Sequence, residues 1–179
     1  MEIPTLESEI EGIQDQSIKT LVKEVLKRVP EYNWTLPSSS TGKYHPLRDR
    51  AAYGNTYHTK DVVKFGLIIA DSKGYYIGAD SPEDRLMVDK VRAAGILHDC
   101  AKYGLAKYHT QYTLNDHPNI AATLIFEVGR SLMPQIYEVH LLEIVEAVRR
   151  HTGRWGNPKP ETELDWIIHL ADNVASKNY

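Results

Sequence analysis

Apolar residues recur at helical spacing along most of the chain, and this periodicity constrains the fold more than any other feature. In residues 16–29, Ile, Leu and Val repeat along one helical face, and Pro30 ends the run. The same criteria predict further helices near residues 57–71, 82–103, 117–128, 134–151 and 163–176. No alternation typical of a strand extends beyond a few residues. The sequence therefore predicts an all-α fold, a single-domain helical bundle.

Two of these helices begin with recognisable capping sequences. Ser81 precedes Pro82 and two acidic residues, which suit the N-cap, the first turn and the positive end of the helix dipole. Thr162 precedes the last helix in the same way. We expect both residues to act as N-caps.

The chain length of 179 residues suits one globular unit. Within it we predict three parts: an N-terminal helical extension packed on the core (residues 1–35), a substrate-binding loop (36–56) and the main helical domain (57–179). The loop is rich in Ser, Pro, Gly and Tyr. Connections of this length inside a compact domain are often functional.

Composition argues against several classes of partner and environment. A net charge of −3 provides no overall field that would attract nucleic acid or an anionic membrane. No apolar run reaches the length of a membrane-spanning helix, and no secretory signal opens the chain. Cys100 is the single cysteine, so no intramolecular disulfide can form. We expect a cytoplasmic protein with no membrane partner and no nucleic-acid partner; a homo-oligomer stays open.

Histidine and aspartate side chains interrupt several strongly apolar segments, where an unpartnered polar group would be costly. Imidazole and carboxylate are ligands for divalent transition metals, and helix bundles can project such ligands inward from several helices. The candidate metal ligands are His58, His98, Asp99, His117, His151 and Asp172. Each of the histidines taken singly could equally be a hydrogen-bonded core residue.

His98 and Asp99 are adjacent, so on a regular helix their side chains would point about 100° apart. They could serve a common metal only near a helix end or a kink. A carboxylate at such a position could bridge two ions, as two-metal hydrolysis requires.

These residues occur in segments that resemble a known family. ILHDCAKYG resembles the motif of the HD-domain metal-dependent phosphohydrolases, and the order of His58, His98-Asp99, His117, His151 and Asp172 is similar to that of its binuclear branches. VRRHTGRWG is similar to the symmetrical dinucleoside-tetraphosphatase branch, and DHPNIAATLI to the HD-GYP (cyclic-di-GMP phosphodiesterase) branch. Thr152 stands where the latter branch has a second histidine, and the Gly-Tyr-Pro signature is absent. The resemblance covers about residues 57–177.

The resemblance implies an HD-type helical bundle with one or two divalent ions, which could be Mn, Fe, Co, Ni or Zn. It implies that His58, His98, Asp99 and Asp172 hold a first ion. Asp99, His117 and His151 would hold a second. Asp99 and Lys102 would be the catalytic residues, with Lys102 facing a substrate phosphate; a surface lysine is the competing interpretation.

Cationic side chains near these motifs are candidates for substrate binding. The loop supplies Lys43, His45, Arg48 and Arg50, and the segment around His151 supplies Arg150 and Arg154. An ordinary solvated loop remains the alternative. We interpret His140 as structural, and His109 and His169 as weaker candidates for a direct role.

The function expected from these observations is metal-dependent hydrolysis of a phosphoester or phosphoanhydride in a small, nucleotide-like substrate. Two alternatives stay open: a di-iron HD-domain oxygenase, because the same ligands suit iron, and a non-catalytic module that senses a nucleotide. The sequence does not select the substrate or the metal.

Overall fold

The computed structural model describes residues 4–42 and 45–177. Within these ranges the chain is helical and contains no strand, as the periodicity predicts. The helices are α1 (Glu7–Glu11), α2 (Gln16–Leu26), α3 (Tyr32–Thr35), α4 (Gly54–Ser72), α5 (Pro82–Leu97), α6 (His117–Ser131), α7 (Glu138–Arg150) and α8 (Glu163–Ala175). Single turns of 3-10 helix occur at Leu47–Arg50 and Gly153–Trp155. None of the described helices is both long and apolar enough to span a membrane.

Helix α5 lies at the centre of the bundle. It packs against α2, α4, α7 and α8, and α4 makes its most extensive contact with α8. The last five residues of α5 have the sequence AAGIL and are fully buried. Small residues there allow close approach: a Cβ at Gly95 would lie 3.1 Å from the Val63 side chain on α4. The residues that directly follow Leu97, His98 and Asp99, are therefore placed in the interior.

The N-terminal helices belong to the same hydrophobic core. Ile18, Leu21 and Val22 of α2 are buried in the cluster that also contains the α5 and α7 side chains. The buried carboxylate of Asp89 on α5 accepts hydrogen bonds from the backbone N–H groups of Gln14 and Asp15, at 3.0 and 2.8 Å. Because Asp15 is also the N-cap of α2, this contact fixes the start of α2 against α5.

Both predicted N-caps are confirmed. The Ser81 hydroxyl accepts from the Asp84 N–H, and Thr162 forms a reciprocal capping box with Asp165.

Several predicted helix bounds need correction. The helix predicted from residue 134 begins at Glu138, because Tyr137 has extended backbone, with ψ of 132°. Ile136 is buried as part of the preceding turn. Its apolar side chain therefore matched the helical spacing although the residue lies outside the helix. The helix predicted to reach residue 103 ends at Leu97. The short helices α1 and α3 were not predicted; the 36–56 segment also contains the turn Leu47–Arg50 and the start of α4.

Candidate metal centre

Five elements bring the predicted ligands together. His58 lies in α4, His117 is the first residue of α6, His151 is the C-cap of α7, and Asp172 lies in α8. His98 and Asp99 follow the last residue of α5 in a series of turns that Gly104, with φ of +88°, closes. The end of α5 at Leu97 thus meets the condition that allows two adjacent side chains to face a common point.

The carboxylate of Asp99 lies at the centre of this arrangement and is almost fully buried. Its Oδ2 lies 3.2 Å from His98 Nε2 and 3.6 Å from His58 Nε2. Its Oδ1 lies 2.9 Å from His117 Nε2 and 3.6 Å from His151 Nε2. One oxygen therefore faces each pair of histidines.

These contacts define two adjacent groups of potential metal ligands. In one, the ligand atoms of His58, His98 and Asp99 lie within 4.8 Å of one another; in the other, those of Asp99, His117 and His151 do. Asp172 adds to the first group, because its Oδ1 lies 3.0 Å from His58 Nε2. All six predicted ligands are thus brought together, and Asp99 is common to both groups.

Hydrogen bonds behind three of the imidazoles orient them. The Nδ1 atoms of His98, His117 and His151 lie 2.8, 2.5 and 2.7 Å from the carbonyl oxygens three residues earlier in the chain. A carbonyl oxygen can only accept, so each Nδ1 carries the ring proton. Each Nε2 then presents a lone pair towards Asp99.

This donor set fits a cation. Asp99 Oδ1 is buried and has no hydrogen-bond partner among the described residues. The facing Nε2 atoms of His117 and His151 are 3.3 Å apart and, with their protons on Nδ1, have none to donate to it. Lone pairs that converge without a proton between them are stabilised by a positive charge at their centre.

The protonation states are consistent with ligation. Burial lowers the pKa of His151 to about 3, which keeps the imidazole neutral. Although burial alone would raise the pKa of Asp99, its close contacts with His98 and with the Lys102 ammonium hold it well below its usual value. Burial opposes ionisation of Asp172 as well, but its close contact with His58 lowers its pKa. Both carboxylates are therefore ionised.

Lys102 is nearly buried, and its ammonium contacts Asp99 Oδ2 directly. It lies within the centre rather than on the surface. Backbone bonds hold the segment that follows: the Lys102 carbonyl accepts the Leu114 N–H at 2.9 Å. Among the described lysines and arginines, Lys102 is the only one whose charged group contacts the Asp99 carboxylate.

A pocket of about 440 Å³ opens beside the first ligand group. Its wall includes Asp172 of the first ligand group and His45. The other lining residues are Thr152, Trp155, Asn173, Ser176 and Lys177. The size lies within the range of small-molecule sites. Trp155 is 63% exposed, so an aromatic surface is open to a ligand there.

Trp155 and His151 are both fixed to α8 through His169. The His169 Nδ1 lies 3.0 Å from the His151 carbonyl oxygen, and its ring meets the Trp155 ring edge-on with centroids 5.8 Å apart. Gly153 has φ of +60°, and a Cβ there would lie 2.0 Å from the His169 ring. His169 thus supports the centre from behind, while His140 pairs with Glu143 and His109 with the Thr110 carbonyl.

Three of the four predicted substrate-binding residues of the loop lie within the described residues, and each has a different environment. His45 is buried, and its ring packs edge-on against that of His58 with centroids 4.9 Å apart; burial lowers its pKa to about 3. Arg48 is paired with the carboxylates of Asp49 and Asp61. Arg50 donates to the His45 carbonyl at 2.7 Å and lines a separate pocket with Tyr103 and His109. Lys43 lies outside the described residues.

The two remaining arginines, Arg150 and Arg154, differ in the residues that they contact. Arg150 is engaged within the protein: its guanidinium contacts Glu146 and Glu161, and it donates to the Lys159 carbonyl at 2.7 Å. Arg154 is exposed and stacks over the Trp155 ring at 4.6 Å. Of the two, Arg154 is the one associated with a residue of the pocket.

Sequence reasoning missed Asp49. This carboxylate is fully buried, and its Oδ2 lies 3.9 Å from His58 Nδ1. Burial raises its pKa above the ordinary value, in opposition to the Arg48 contact. One usable signal was present, an acidic residue between two arginines just ahead of Gly54, but this pattern does not indicate a contact with His58.

A buried cluster of imidazole and carboxylate groups inside an all-helical bundle is typical of helical proteins that bind a metal. The chain belongs to the HD-domain family: the model of the HD domain matches residues 55–177. No curated protein and no solved structure shows a significant match to the chain. HD domains are commonly metal-dependent hydrolases, so the match and the two ligand groups together suggest divalent metal binding and metal-dependent phosphohydrolase activity.

Proposed function

We propose that the protein hydrolyses a phosphoester or phosphoanhydride bond in a small, nucleotide-like substrate, with a binuclear metal centre. The observation that carries the proposal is the position of Asp99. Its two carboxylate oxygens face two different histidine groups, an arrangement suited to two ions that share one bridging ligand.

His58, His98, Asp99 and Asp172 would hold one ion, and Asp99, His117 and His151 the other. When bound, the ions would lower the pKa of water and would act as Lewis acids towards a phosphoryl oxygen. Imidazole and carboxylate suit Mn, Fe, Co, Ni and Zn. The main-chain carbonyls behind His98, His117 and His151 would keep these rings in position before a substrate arrives.

Lys102 would bind and neutralise the phosphoryl group. Its nearly buried ammonium loses little energy to solvent screening, so it would stabilise charge that develops on phosphoryl oxygens. Its contact with Asp99 keeps it at the centre until a phosphate competes for it.

The pocket beside Asp172 would receive the remainder of the substrate. Trp155 offers a flat surface on which a nucleobase can stack. Asn173, Ser176 and Lys177 line the same pocket and provide groups for hydrogen bonds to sugar and phosphate. A phosphate placed at the ligand groups and a base placed on Trp155 would together use the whole pocket.

The test is phosphate and nucleoside release from a panel of nucleotides, with Mn²⁺, Fe²⁺, Co²⁺ or Ni²⁺ added to protein stripped of metal. The proposal expects metal-dependent release that His117→Ala abolishes. His140→Ala is the matched control, because His140 lies outside both ligand groups and contacts Glu143. Absence of any release from the whole panel would overturn the proposal.

Two other outcomes would redirect it. The same ligand atoms suit iron, so oxygen uptake with a mixed-valent di-iron EPR signal would favour an oxygenase. A nucleotide that raises the melting temperature without being turned over would favour a sensing module.

A further inference from the structure

His58 differs from the other three histidines of the centre in what lies behind its ring. The Nδ1 atoms of His98, His117 and His151 each have a main-chain carbonyl within 2.8 Å. His58 lies at the start of the second turn of α4, where the helix uses its carbonyl groups for its own hydrogen bonds. Its Nδ1 is fully buried and has no hydrogen-bond partner among the described residues.

The nearest carboxylate to this atom belongs to Asp49. Asp49 Oδ2 lies 3.9 Å from His58 Nδ1, is also buried, and likewise has no partner among the described residues. The other oxygen of Asp49 accepts from Arg48 Nε at 3.0 Å, and Arg48 in turn contacts Asp61 on α4. The unpartnered oxygen is therefore the one turned towards His58.

Gly54 explains how Asp49, which precedes α4, comes so close to His58. A Cβ at Gly54 would lie 2.0 Å from the Asp49 carbonyl oxygen, a distance that no side chain could tolerate. Gly54 precedes His58 by one helical turn, so the absence of a side chain lets the Asp49 backbone pass where it can present its carboxylate to the imidazole. The Ser38 N–H and hydroxyl, at 2.9 and 3.1 Å, fix the same Asp49 carbonyl.

We propose that Asp49 is a positioning residue for the first metal site, which accepts the Nδ1 proton of His58 and so directs its Nε2 lone pair to the ion; this rests on the proposed function. The Nε2 of His58 already faces Asp99, Asp172 and His98. With Nε2 used as a ligand, the ring proton resides on Nδ1 and needs an acceptor. A shift of about 1 Å would bring Asp49 to hydrogen-bond distance. Arg48, predicted to bind substrate, is thereby assigned to hold Asp49.

A third ion is the competing interpretation, because ligand atoms of His45, Asp49 and His58 also lie within 4.8 Å of one another. An ion on the Nδ1 side would require His58 to lose both ring protons when Nε2 is a ligand as well. A neutral imidazole has one such proton to keep, and a buried carboxylate is a strong acceptor for it. The hydrogen bond therefore explains both unpartnered atoms without a third ion and without loss of the second ring proton.

Asp49→Asn tests this with almost no change in volume. The amide oxygen would face the Arg48 donor, and the amide NH₂ would then face the Nδ1 proton of His58, so donor would meet donor. We expect a roughly 10–100-fold loss of affinity at one ion site, measured by chelator competition with Mn²⁺, with affinity at the other site unchanged. Asp49→Ala should behave in the same way, and Asp71→Asn, at an exposed carboxylate of α4, should match the wild type.

A second readout follows the proton itself. In protein labelled with ¹⁵N-histidine and loaded with Zn²⁺, a long-range ¹H–¹⁵N spectrum should show His58 protonated at Nδ1. Wild-type affinity in both Asp49 variants, or an unprotonated Nδ1, would overturn the inference while the proposed function survives. Loss of a third bound equivalent in Asp49→Asn would overturn it in favour of the third ion. If the wild type binds no ion, the proposed function fails as well.

Discussion

Gly153→Ala is the substitution whose cost can be worked out most fully from the structure. Gly153 has φ of +60°, a conformation that costs an L residue about 1–2 kcal/mol. The new Cβ would also lie 2.0 Å from the His169 ring, and overpacking of this kind costs about 1–3 kcal/mol. Moving the ring would break its hydrogen bond with the His151 carbonyl, a further loss of about 1 kcal/mol.

We therefore expect the free energy of unfolding to fall by about 4 kcal/mol, which for a chain of this size lowers Tm by about 10 °C. Gly74→Ala is the matched control: Gly74 has φ of +94°, but nothing lies within 4 Å of a Cβ placed there. It should lose about 1–2 kcal/mol, from backbone strain alone. Urea unfolding followed by circular dichroism, in EDTA so that metal binding does not contribute, gives both values.

The comparison has a functional counterpart. His169 contacts both His151 and Trp155, so displacement of its ring should weaken metal binding at the group that contains His151, whereas Gly74→Ala should leave binding unchanged. Equal destabilisation by the two substitutions would refute the claim that Gly153 and His169 jointly fix this side of the centre.

Three further substitutions separate the roles assigned above. Trp155→Ala should raise KM for nucleotides about tenfold through lost stacking, with little change for ribose 5-phosphate; equal effects on both substrates in steady-state assays would remove Trp155 as a base platform. Lys102→Met should lower kcat about 100-fold while metal stoichiometry, measured by mass spectrometry of the bound elements, stays at the wild-type value; an unchanged kcat would end its proposed role. Arg150→Leu should cost about 2 kcal/mol of stability through its lost carboxylate contacts and leave KM unaltered; a large rise in KM would restore it as a substrate ligand.

The helices and the main candidate ligands could be predicted because each depends on local sequence. Apolar spacing marks the buried faces, and His or Asp inside an apolar segment such as AAGILHD is conspicuous. The geometry of adjacent side chains also required a helix end near His98 and Asp99. The structure supplies it at Leu97, although the apolar pattern alone extended the helix to residue 103.

What could not be predicted depends on contacts between distant segments. Arg150 is a plausible phosphate ligand by its place beside His151, but its partner Glu161 lies beyond the loop that follows α7. Asp49 was not predicted, because its proximity to His58 depends on the close approach of two chain segments at Gly54. Ile136 extended a helical pattern through a turn for a similar reason, since burial in the core does not reveal backbone conformation.

The central claim is that Asp99 bridges two ions, and anomalous diffraction from crystals grown with Mn²⁺ tests it most directly. Two peaks about 3.5–4 Å apart are expected on either side of the Asp99 carboxylate. One should lie among His58, His98 and Asp172, and the other beside His117 and His151. Full occupancy of Mn²⁺ at some other place, with no peak beside Asp99, would contradict the claim.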